Sequence, residues 1–291
     1  MNDDPPAGAS PAIVDAHLHL WDTAAFELPW LASVPELSER YTVSDYLAAV
    51  GEAPVGAAVV VQAGDTAVEA RWLFDVLSGA DAHRLEAAAV VQFAAERDAW
   101  LGRVQSAVDE RGVLPRGVRL PVHRRGAEWT ALEGLPALLG AAEQRGLVVE
   151  VLCRPDQVAA VDGLAARHPG LVFVLDHLGI GTSDPDSAWR SALRTLSARA
   201  NVVAKVSGLF AAGDDVVAGA ERARSVVQSA LQALGPERIM FGSDWPMSSR
   251  IGPYVAVLER THAALGSMTA RDAEAVWSST ARATYSLHQY R

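Results

Sequence analysis

Two histidines stand two residues apart in a short apolar segment near the start of the chain, IVDAHLHL. If this segment is a β-strand, alternation places His17 and His19 on one side, and Leu18 and Leu20 on the other, toward covering helices. Two imidazoles on one side of a strand can converge on a metal ion or on a substrate oxygen. The pair alone does not decide between this chemistry and a packing role, so partners must come from elsewhere in the chain.

Two later apolar segments also end in ionisable side chains. LVFVLDHLG brings Asp176 and His177, and IMFGSDWP brings Asp244. Burying such groups costs several kcal/mol unless they are paired or ligated, so packing does not explain them. Asp176 has the opposite alternation parity from His177, and we therefore expect it to cap or orient a neighbouring loop.

Three charged residues lie inside other apolar segments: Arg119 in RGVRL, Glu150 in LVVEVLC and Lys205 in VVAKVSG. The planar guanidinium of Arg119 suits a carboxylate or several hydroxyls. Lys205 is the only lysine among 25 lysines and arginines, which suggests a point charge that a guanidinium could not replace. The alternative reading is an ion pair between Lys205 and Glu150.

Other polar residues carry weaker signals. Gln62 and Gln92 end apolar segments, where glutamine is a common hydrogen-bonding residue, and no role is assigned to them. Cys153 is expected to be a small buried apolar residue, because no histidine is placed by motif to activate it. Most of the remaining histidines are expected to be solvated; these are His83, His123, His168, His262 and His288.

The elements that must position these side chains are short, β-branched apolar runs separated by stretches with helical periodicity. Such runs are typical of parallel strands covered by helices, and eight of them predict a single (β/α)₈ barrel. A doubly wound dinucleotide-binding sheet is disfavoured, because no glycine-rich loop follows the first run. The predicted strands are Ile13–His19, Ala57–Gln62, Ala87–Phe93, Gly117–Leu120, Leu147–Leu152, Leu171–His177, Val202–Ser207 and Ile239–Asp244.

Composition limits the class of protein. The chain has 291 residues, of which 50% are hydrophobic and 21% charged, as in globular domains. We expect a flexible tail at residues 1–10 and one barrel domain over residues 11–291. The single cysteine excludes an intrachain disulfide. The barrel enzymes place their chemistry at the carboxyl ends of the strands, where the polar residues above occur.

Charge and hydropathy also limit the partners. A net charge of −10 without a run of basic residues argues against nucleic acid binding. No apolar run approaches the ~18 residues that span a bilayer, and the acidic start does not resemble a secretory signal. We therefore expect a cytoplasmic protein that binds a small molecule, with homo-oligomerisation left open.

Taken in order, these motifs resemble the amidohydrolase superfamily, and more closely the amidohydrolase-2 branch that contains sugar lactonases and 2-pyrone-4,6-dicarboxylate lactonase. The resemblance runs from about Ile13 to about Trp245, and it implies a distorted (β/α)₈ barrel that hydrolyses a small ring ester. The motifs that carry it are IVDAHLHLWD, LPWL, RGVRL, LDHLG, KVSG and FGSDWP.

The resemblance also implies roles for particular residues. His17 and His19 match the first-strand pair and His177 matches the sixth-strand histidine. Asp244 matches the aspartate that handles the proton of the attacking water. Positions expected to touch substrate, or to form apolar walls around it, are Arg119, Lys205, Trp21, Trp30 and Trp245.

The fifth strand departs from the family pattern. Many metal-dependent members carry a histidine at its end, where this chain has Glu150 and Cys153. The cofactor expectation is therefore either no metal or one divalent ion, zinc first among the candidates. In the second case the ligands would be His17, His19, Glu150 and Asp244.

The function expected from the resemblance is hydrolysis of an anionic or polyhydroxylated lactone, with Asp244 as general acid and base. Two alternatives stay open. One is a metal-dependent decarboxylase or amide hydrolase of the same superfamily. The other is a small-molecule-binding barrel without catalytic activity.

Overall fold

Eight parallel strands follow one another around a barrel in chain order, and each is hydrogen-bonded to the next. The computed structural model describes residues 13–79, 84–92, 115–126 and 128–287. The predicted (β/α)₈ architecture is confirmed. The strands are β1 (Ile13–Leu18), β2 (Val55–Val61), β3 (Glu86–Gln92), β4 (Pro115–Pro121), β5 (Val148–Leu152), β6 (Phe173–Leu175), β7 (Val202–Val206) and β8 (Ile239–Phe241).

Helices follow most of the strands and cover the outside of the barrel. None of the helices in the described part of the chain is long and apolar enough to cross a membrane. A short π-helical segment, Ala275–Ser279, joins the last two helices. The helices are α1 (Val43–Val50), α2 (Ala67–Ser78), α3 (Leu135–Arg145), α4 (Val158–Arg167), α5 (Ser187–Leu196), α6 (Val216–Leu234), α7 (Tyr254–Leu265), α8 (Ala270–Glu274) and α9 (Thr280–Tyr285).

The strands carry apolar residues on both faces because each face meets a different layer. Outward residues such as Leu18 and Val151 pack against the helices, in the larger core. Inward residues such as Val14 and Val174 form a smaller core inside the barrel. Tyr285 from α9 packs into this inner core and closes the end at which the strands begin.

The barrel closes between β1 and β8 through the residues that follow both strands. Leu18 and Trp245 form an isolated parallel bridge. The amide of His19 donates to the Trp245 carbonyl, and the amide of Asp244 donates to the His17 carbonyl, both at 2.7 Å. The seam of the barrel therefore runs through candidate functional residues.

Seven of the predicted strands agree with the structure to within two residues at each described end, and the eighth ends three residues earlier than predicted. The sixth and eighth were predicted to run to His177 and Asp244, and this is wrong. They end at Leu175 and Phe241, because the backbone turns into the left-handed region at His177 (φ 54°) and Asp244 (φ 58°). Phe93 and the predicted tail at residues 1–10 lie outside the described residues.

Candidate active site

A shift in strand register brings the first histidine pair into the barrel. The pairing of β1 with β2 slips between Asp15 and Leu18, so both His17 and His19 face inward while Leu18 joins the outer core. Space for His17 depends on Gly242, since a Cβ there would lie 2.6 Å from the His17 Cβ. The glycine after β8 is therefore required by packing against the histidine.

The protonation pattern of His19 follows from its hydrogen bond. Its Nδ1 lies 2.6 Å from the carbonyl oxygen of Val61. A carbonyl can only accept, so Nδ1 carries the proton and Nε2 keeps a bare lone pair. Burial, assisted by the charge of Arg119, lowers the pKa of His19 to about 3. The ring is therefore neutral near neutral pH, with Nε2 free to accept or to ligate.

The bare Nε2 atom faces a carboxylate. Asp244 Oδ1 lies 3.7 Å from His19 Nε2 and 3.8 Å from His17 Nε2. The Asp244 side chain is 15% exposed, whereas that of His17 is fully buried. Burial raises the pKa of Asp244 above its ordinary value. The carboxylate is thus the most exposed member of the trio, since the His19 side chain is 8% exposed.

The same three atoms suit a divalent cation. His17 Nε2 is buried without a hydrogen-bond partner among the described residues, and His19 Nε2 and Asp244 Oδ1 are two acceptors that face each other. The ligand atoms of this trio lie within 4.8 Å of one another. Two imidazole nitrogens and a carboxylate with an open side are the donor set of catalytic zinc sites. The residues present therefore fit one ion.

His177 borders this trio through an unusual backbone turn. Its ring centroid lies 4.7 Å from that of His17, and its Nδ1 lies 2.8 Å from Ser207 Oγ. A Cβ on Gly208 would come 2.6 Å from the same Nδ1, so only glycine leaves the ring in place. The structure thus brings His17, His19, His177 and Asp244 together, as expected.

Arg119 is held by two glutamines to which the sequence assigned no role. Its Nε donates to Gln92 Oε1 at 2.9 Å, and its Nη2 donates to the Gln62 carbonyl at 2.7 Å. The Gln62 side chain is itself fixed. Its Nε2 donates to Glu69 Oε2 at 3.1 Å, and its Oε1 accepts a hydrogen bond from the backbone N–H of Gln92 at 2.9 Å. The Nη1 atom makes no hydrogen bond to a described residue. A rigid guanidinium therefore stands beside the histidines.

Lys205 does not line the site as expected. Its ammonium is fully buried inside the barrel, 2.6 Å from Glu150 Oε1 and 3.2 Å from Asp176 Oδ1. It also lies 3.1 Å from His17 Nδ1. The structure therefore supports the alternative ion pair with Glu150. The structure also corrects the expected set of metal ligands. Glu150 forms an ion pair with Lys205 and is not part of the trio of His17, His19 and Asp244.

The expectation for Asp176 is wrong as well. Asp176 faces Lys205 and His17 inside the barrel, with no exposed surface, and does not cap a loop. Strand β6 ends at Leu175, and Asp176 keeps the inward parity of Val174. Because the backbone at His177 is left-handed, the His177 side chain also points into the barrel interior.

Burial and the charge of Lys205 act in opposite directions on the two carboxyl groups of this buried group. Burial alone would raise the pKa of Asp176, but Lys205 and His17 hold it well below its ordinary value. Burial raises the pKa of Glu150 to about 7, against the opposing charge of Lys205. Tyr285 also donates to Glu150 Oε1 at 2.5 Å. The C-terminal helix α9 is thereby tied to the polar layer beneath the histidines.

Asp15 is a further buried carboxylate that the sequence reasoning missed. Its Oδ1 accepts the amide of Ser243 at 2.7 Å, and its Oδ2 accepts the hydroxyls of Tyr46 and Tyr254 at 2.9 and 3.0 Å. It stands two residues before His17 in the motif. Its partners, however, lie 31 to 239 residues away, so only the fold reveals the contact.

The three tryptophans pack together outside the histidine group. Trp21 is fully buried and meets Trp30 edge-on with ring centroids 5.4 Å apart. Tyr41 links Trp21 to Trp245 through centroid distances of 5.1 and 5.3 Å. The segment after β1 thus has an apolar cluster of its own.

A cavity of about 270 Å³ opens beside Asp244, between the segments that follow β7 and β8. None of the three tryptophans lines it. Serine hydroxyls, a guanidinium and apolar side chains share its wall. Lining residues include Ser207, Phe210, Ser243, Met247, Ser248 and Arg250.

Other candidate nucleophiles and bases lie apart from this group. Cys153 is buried, as expected, and burial raises the pKa of its thiol to about 12. His123 is only partly buried, and burial together with nearby arginines lowers its pKa to about 4. His262 is exposed and His168 partly exposed. His83 and His288 lie outside the described residues.

The sequence profile of one known family, described as Amidohydrolase, matches residues 14–287. A curated relative, an L-fucono-1,5-lactonase from Burkholderia multivorans, is 30% identical over 94% of this chain and 96% of its own length. The family match includes every residue of the candidate site.

Solved structures share the same fold. A crystal structure of an amidohydrolase from Burkholderia multivorans with bound zinc superposes with a TM-score of 0.83 at 27% identity, covering 95% of this chain and 99% of that one. Amidohydrolase 2 from Bifidobacterium longum subsp. infantis gives a TM-score of 0.73 at 25% identity, covering 96% of this chain and 100% of its own.

Proposed function

The chain belongs to the amidohydrolase family, and from that premise we propose that it hydrolyses a small-molecule lactone to its hydroxy acid. One observation carries the proposal. The bare Nε2 of His19 and the partnerless Nε2 of His17 converge on Asp244, whose carboxylate is the most exposed member of the trio. A lactone carbonyl is more reactive than an amide, so a site with one carboxylate base and modest polarisation is sufficient.

Asp244 is the proposed general base and acid. Its carboxylate accepts a proton from the attacking water and returns it to the alkoxide that leaves when the ring opens. Burial raises its pKa, which makes it a stronger base than an exposed aspartate. The short bond from its amide to the His17 carbonyl, 2.7 Å, fixes the carboxylate relative to the histidines.

We further propose that His17, His19 and Asp244 hold one divalent cation, zinc first among the candidates. Neutral His19 cannot donate a hydrogen bond from Nε2, since its proton is on Nδ1, so its contribution to an oxyanion requires a cation. When bound, such an ion polarises the carbonyl and acidifies the attacking water. The amidohydrolase structure from Burkholderia multivorans described above, with a TM-score of 0.83, contains bound zinc.

His177 and Arg119 orient the substrate in this proposal. The Ser207 hydroxyl holds His177 Nδ1 at 2.8 Å, which fixes the ring beside His17. Among the described residues, Arg119 Nη1 has no hydrogen-bond partner, while the other two nitrogens bind Gln92 and Gln62. A guanidinium anchored in this way can hold a ring hydroxyl or a carbonyl oxygen without first losing side-chain entropy.

The charges of the described residues favour a polyhydroxylated lactone over a dicarboxylate. Lys205 is enclosed by carboxylates, and Arg250 pairs with Glu36 at 2.7 Å. Few cations therefore remain for two substrate carboxylates. Hydroxyl groups of Ser207 and Ser248 line the cavity beside Asp244. The curated relative in Burkholderia multivorans is likewise an L-fucono-1,5-lactonase.

The test is a pH-indicator screen of sugar lactones with the wild type and with Asp244→Asn. We expect the variant to lose at least ~10²-fold in kcat, the usual scale for a general base. Asp184→Asn, an exposed aspartate after β6, is the matched control and should behave as the wild type. If Asp244→Asn turns over lactones at the wild-type rate, Asp244 is not the general base. Gas released from carboxylated substrates would indicate a decarboxylase instead.

Element analysis and chelation test the ion separately. We expect about one zinc per chain and loss of turnover after exhaustive chelation, with recovery on adding zinc back. Full activity of a metal-free sample would refute the proposal that a divalent ion is needed, and it would leave the proposal of lactone hydrolysis unaffected.

A further inference from the structure

The ammonium of Lys205 sits at the meeting point of three strands. Its Nζ lies 2.6 Å from Glu150 Oε1 on β5, 3.2 Å from Asp176 Oδ1 after β6, and 3.1 Å from His17 Nδ1 on β1. None of these side chains has exposed surface. We call Glu150, Asp176 and His17 the lysine cage.

The cage has the composition of a metal site. Two carboxylates and an imidazole offer ligand atoms within 4.8 Å of one another, and oxygen and nitrogen donors of this kind suit zinc or manganese. Glu150 Oε2 and Asp176 Oδ2 have no hydrogen-bond partner among the described residues. Buried carboxylates in this state require a cation close by.

We infer that Lys205 is a built-in cation: its ammonium fills a latent metal site beneath the candidate active site and so limits the centre to one exchangeable ion. The cage shares His17 with the upper trio: Nε2 faces the trio and Nδ1 faces the cage, so ions in both places would bind His17 as a bridging imidazolate. Lys205 and Asp176 therefore fix the His17 ring from below. Lys205 acts as a positioning residue and touches no substrate.

The choice of lysine follows from the shape of the cage. Carboxylate oxygens of Glu150 and Asp176 flank one point beside His17, and an ammonium places a compact charge with three donors there. A guanidinium spreads its donors over a planar fork and would not fit the same point. This accounts for a lysine, and not an arginine, at position 205.

Counting metal ions tests the inference without any substrate. We expect Lys205→Ala to bind one more zinc or manganese ion per chain than the wild type, both measured by element analysis after dialysis against the metal. The added ion should raise Tm by about 5 °C more than in the wild type at a hundredfold excess over its Kd. Equal ion counts in the two folded proteins would overturn the inference.

A control variant assigns the extra ion to the cage. Lys205→Ala combined with Glu150→Gln removes one carboxylate ligand, so the additional ion should be lost. If the double variant keeps the additional ion, that ion is bound elsewhere and the inference fails. The count does not depend on lactone turnover, so it stands or falls apart from the proposed function.

A second measurement covers the case in which Lys205→Ala does not fold. Lys205→Met and Glu150→Gln, alone and together, form a double-mutant cycle read by Tm. We expect the double variant to recover at least half of the Tm lost by Lys205→Met, because removing the cation and one carboxylate together leaves less uncompensated charge. Strictly additive losses would show that Lys205 does not neutralise the cage.

Discussion

Replacing Asp15 with Asn tests whether the seam of the barrel positions Asp244. Asp15 accepts the amides of Ser243 at 2.7 Å and His17 at 3.3 Å with one oxygen. The other oxygen accepts the hydroxyls of Tyr46 and Tyr254. Because Ser243 directly precedes Asp244, the Asp15 carboxylate joins β1 to the residue proposed as base.

The cost in stability can be worked from these contacts. Asparagine has the same shape, and its oxygen can stay on Ser243 while its amide donates to the tyrosine hydroxyls, which can also accept. Four charge-assisted bonds become neutral ones, at a cost of about 1 kcal/mol or less each. Relief from burying a charge, which raises the pKa of Asp15, offsets part of this. We expect the free energy of unfolding to fall by about 1–3 kcal/mol.

The expected effect on catalysis is larger than this stability loss would suggest. A shift of a few tenths of an ångström at Ser243 moves the Asp244 carboxylate relative to both histidines, and small misplacements of a catalytic group are costly. We expect kcat to fall about tenfold, with KM within about twofold because Asp15 is fully buried and cannot contact substrate.

Urea unfolding and steady-state kinetics on a sugar lactone measure the two effects. Asp22→Asn is the matched control, since Asp22 lies in the same motif and, among the described residues, its side chain accepts only the Ala24 amide, at 2.9 Å. It should leave kcat unchanged. A folded Asp15→Asn enzyme with wild-type kcat would refute the idea that this carboxylate positions Asp244.

Two further outcomes follow from the site. Arg119→Lys keeps the positive charge but loses the planar guanidinium that binds Gln92 and Gln62. In steady-state assays KM should therefore rise about tenfold, with kcat little changed. An unchanged KM would exclude substrate orientation by Arg119. Burial raises the pKa of Asp244 in the metal-free protein, so NMR titration of this carboxyl after chelation should give a midpoint above that of an ordinary aspartate. Zinc bound to Asp244 should lower that midpoint, and an ordinary midpoint in the metal-free protein would contradict the raised pKa.

Strand positions could be predicted from the sequence because burial on both faces leaves a direct signal. Runs such as Val55–Val61 are apolar whichever way each side chain points, and parallel strands in this fold require that. The carboxyl ends of β6 and β8 could not be predicted, because the left-handed turns at His177 and Asp244 depend on contacts made after folding.

The chemistry of single residues was predictable, but their partners were not. A lysine and a glutamate within apolar strands indicate buried charge, and their pairing could be named as an alternative. The sequence holds no signal that Gln62 and Gln92 hold Arg119, since the bonds join residues 27 and 57 positions apart. The same holds for Asp15 and Tyr254, and for Asp176, whose alternation argument assumed a strand longer than β6.

Lys205 and the lysine cage form a polar layer beneath the candidate active site. This layer and the site interact electrostatically, since both include His17. Apolar residues fill the barrel up to Val174 and Val203, and directly above them come Glu150, Asp176 and Lys205. Burying these charges yields little net stability, because desolvation cancels most of the attraction within an ion pair. What the layer does provide is a fixed His17, held at Nδ1 from beneath so that Nε2 faces Asp244. An apolar layer would pack as well but would leave that ring free to turn, and this difference explains why a barrel interior retains charges that its stability does not require.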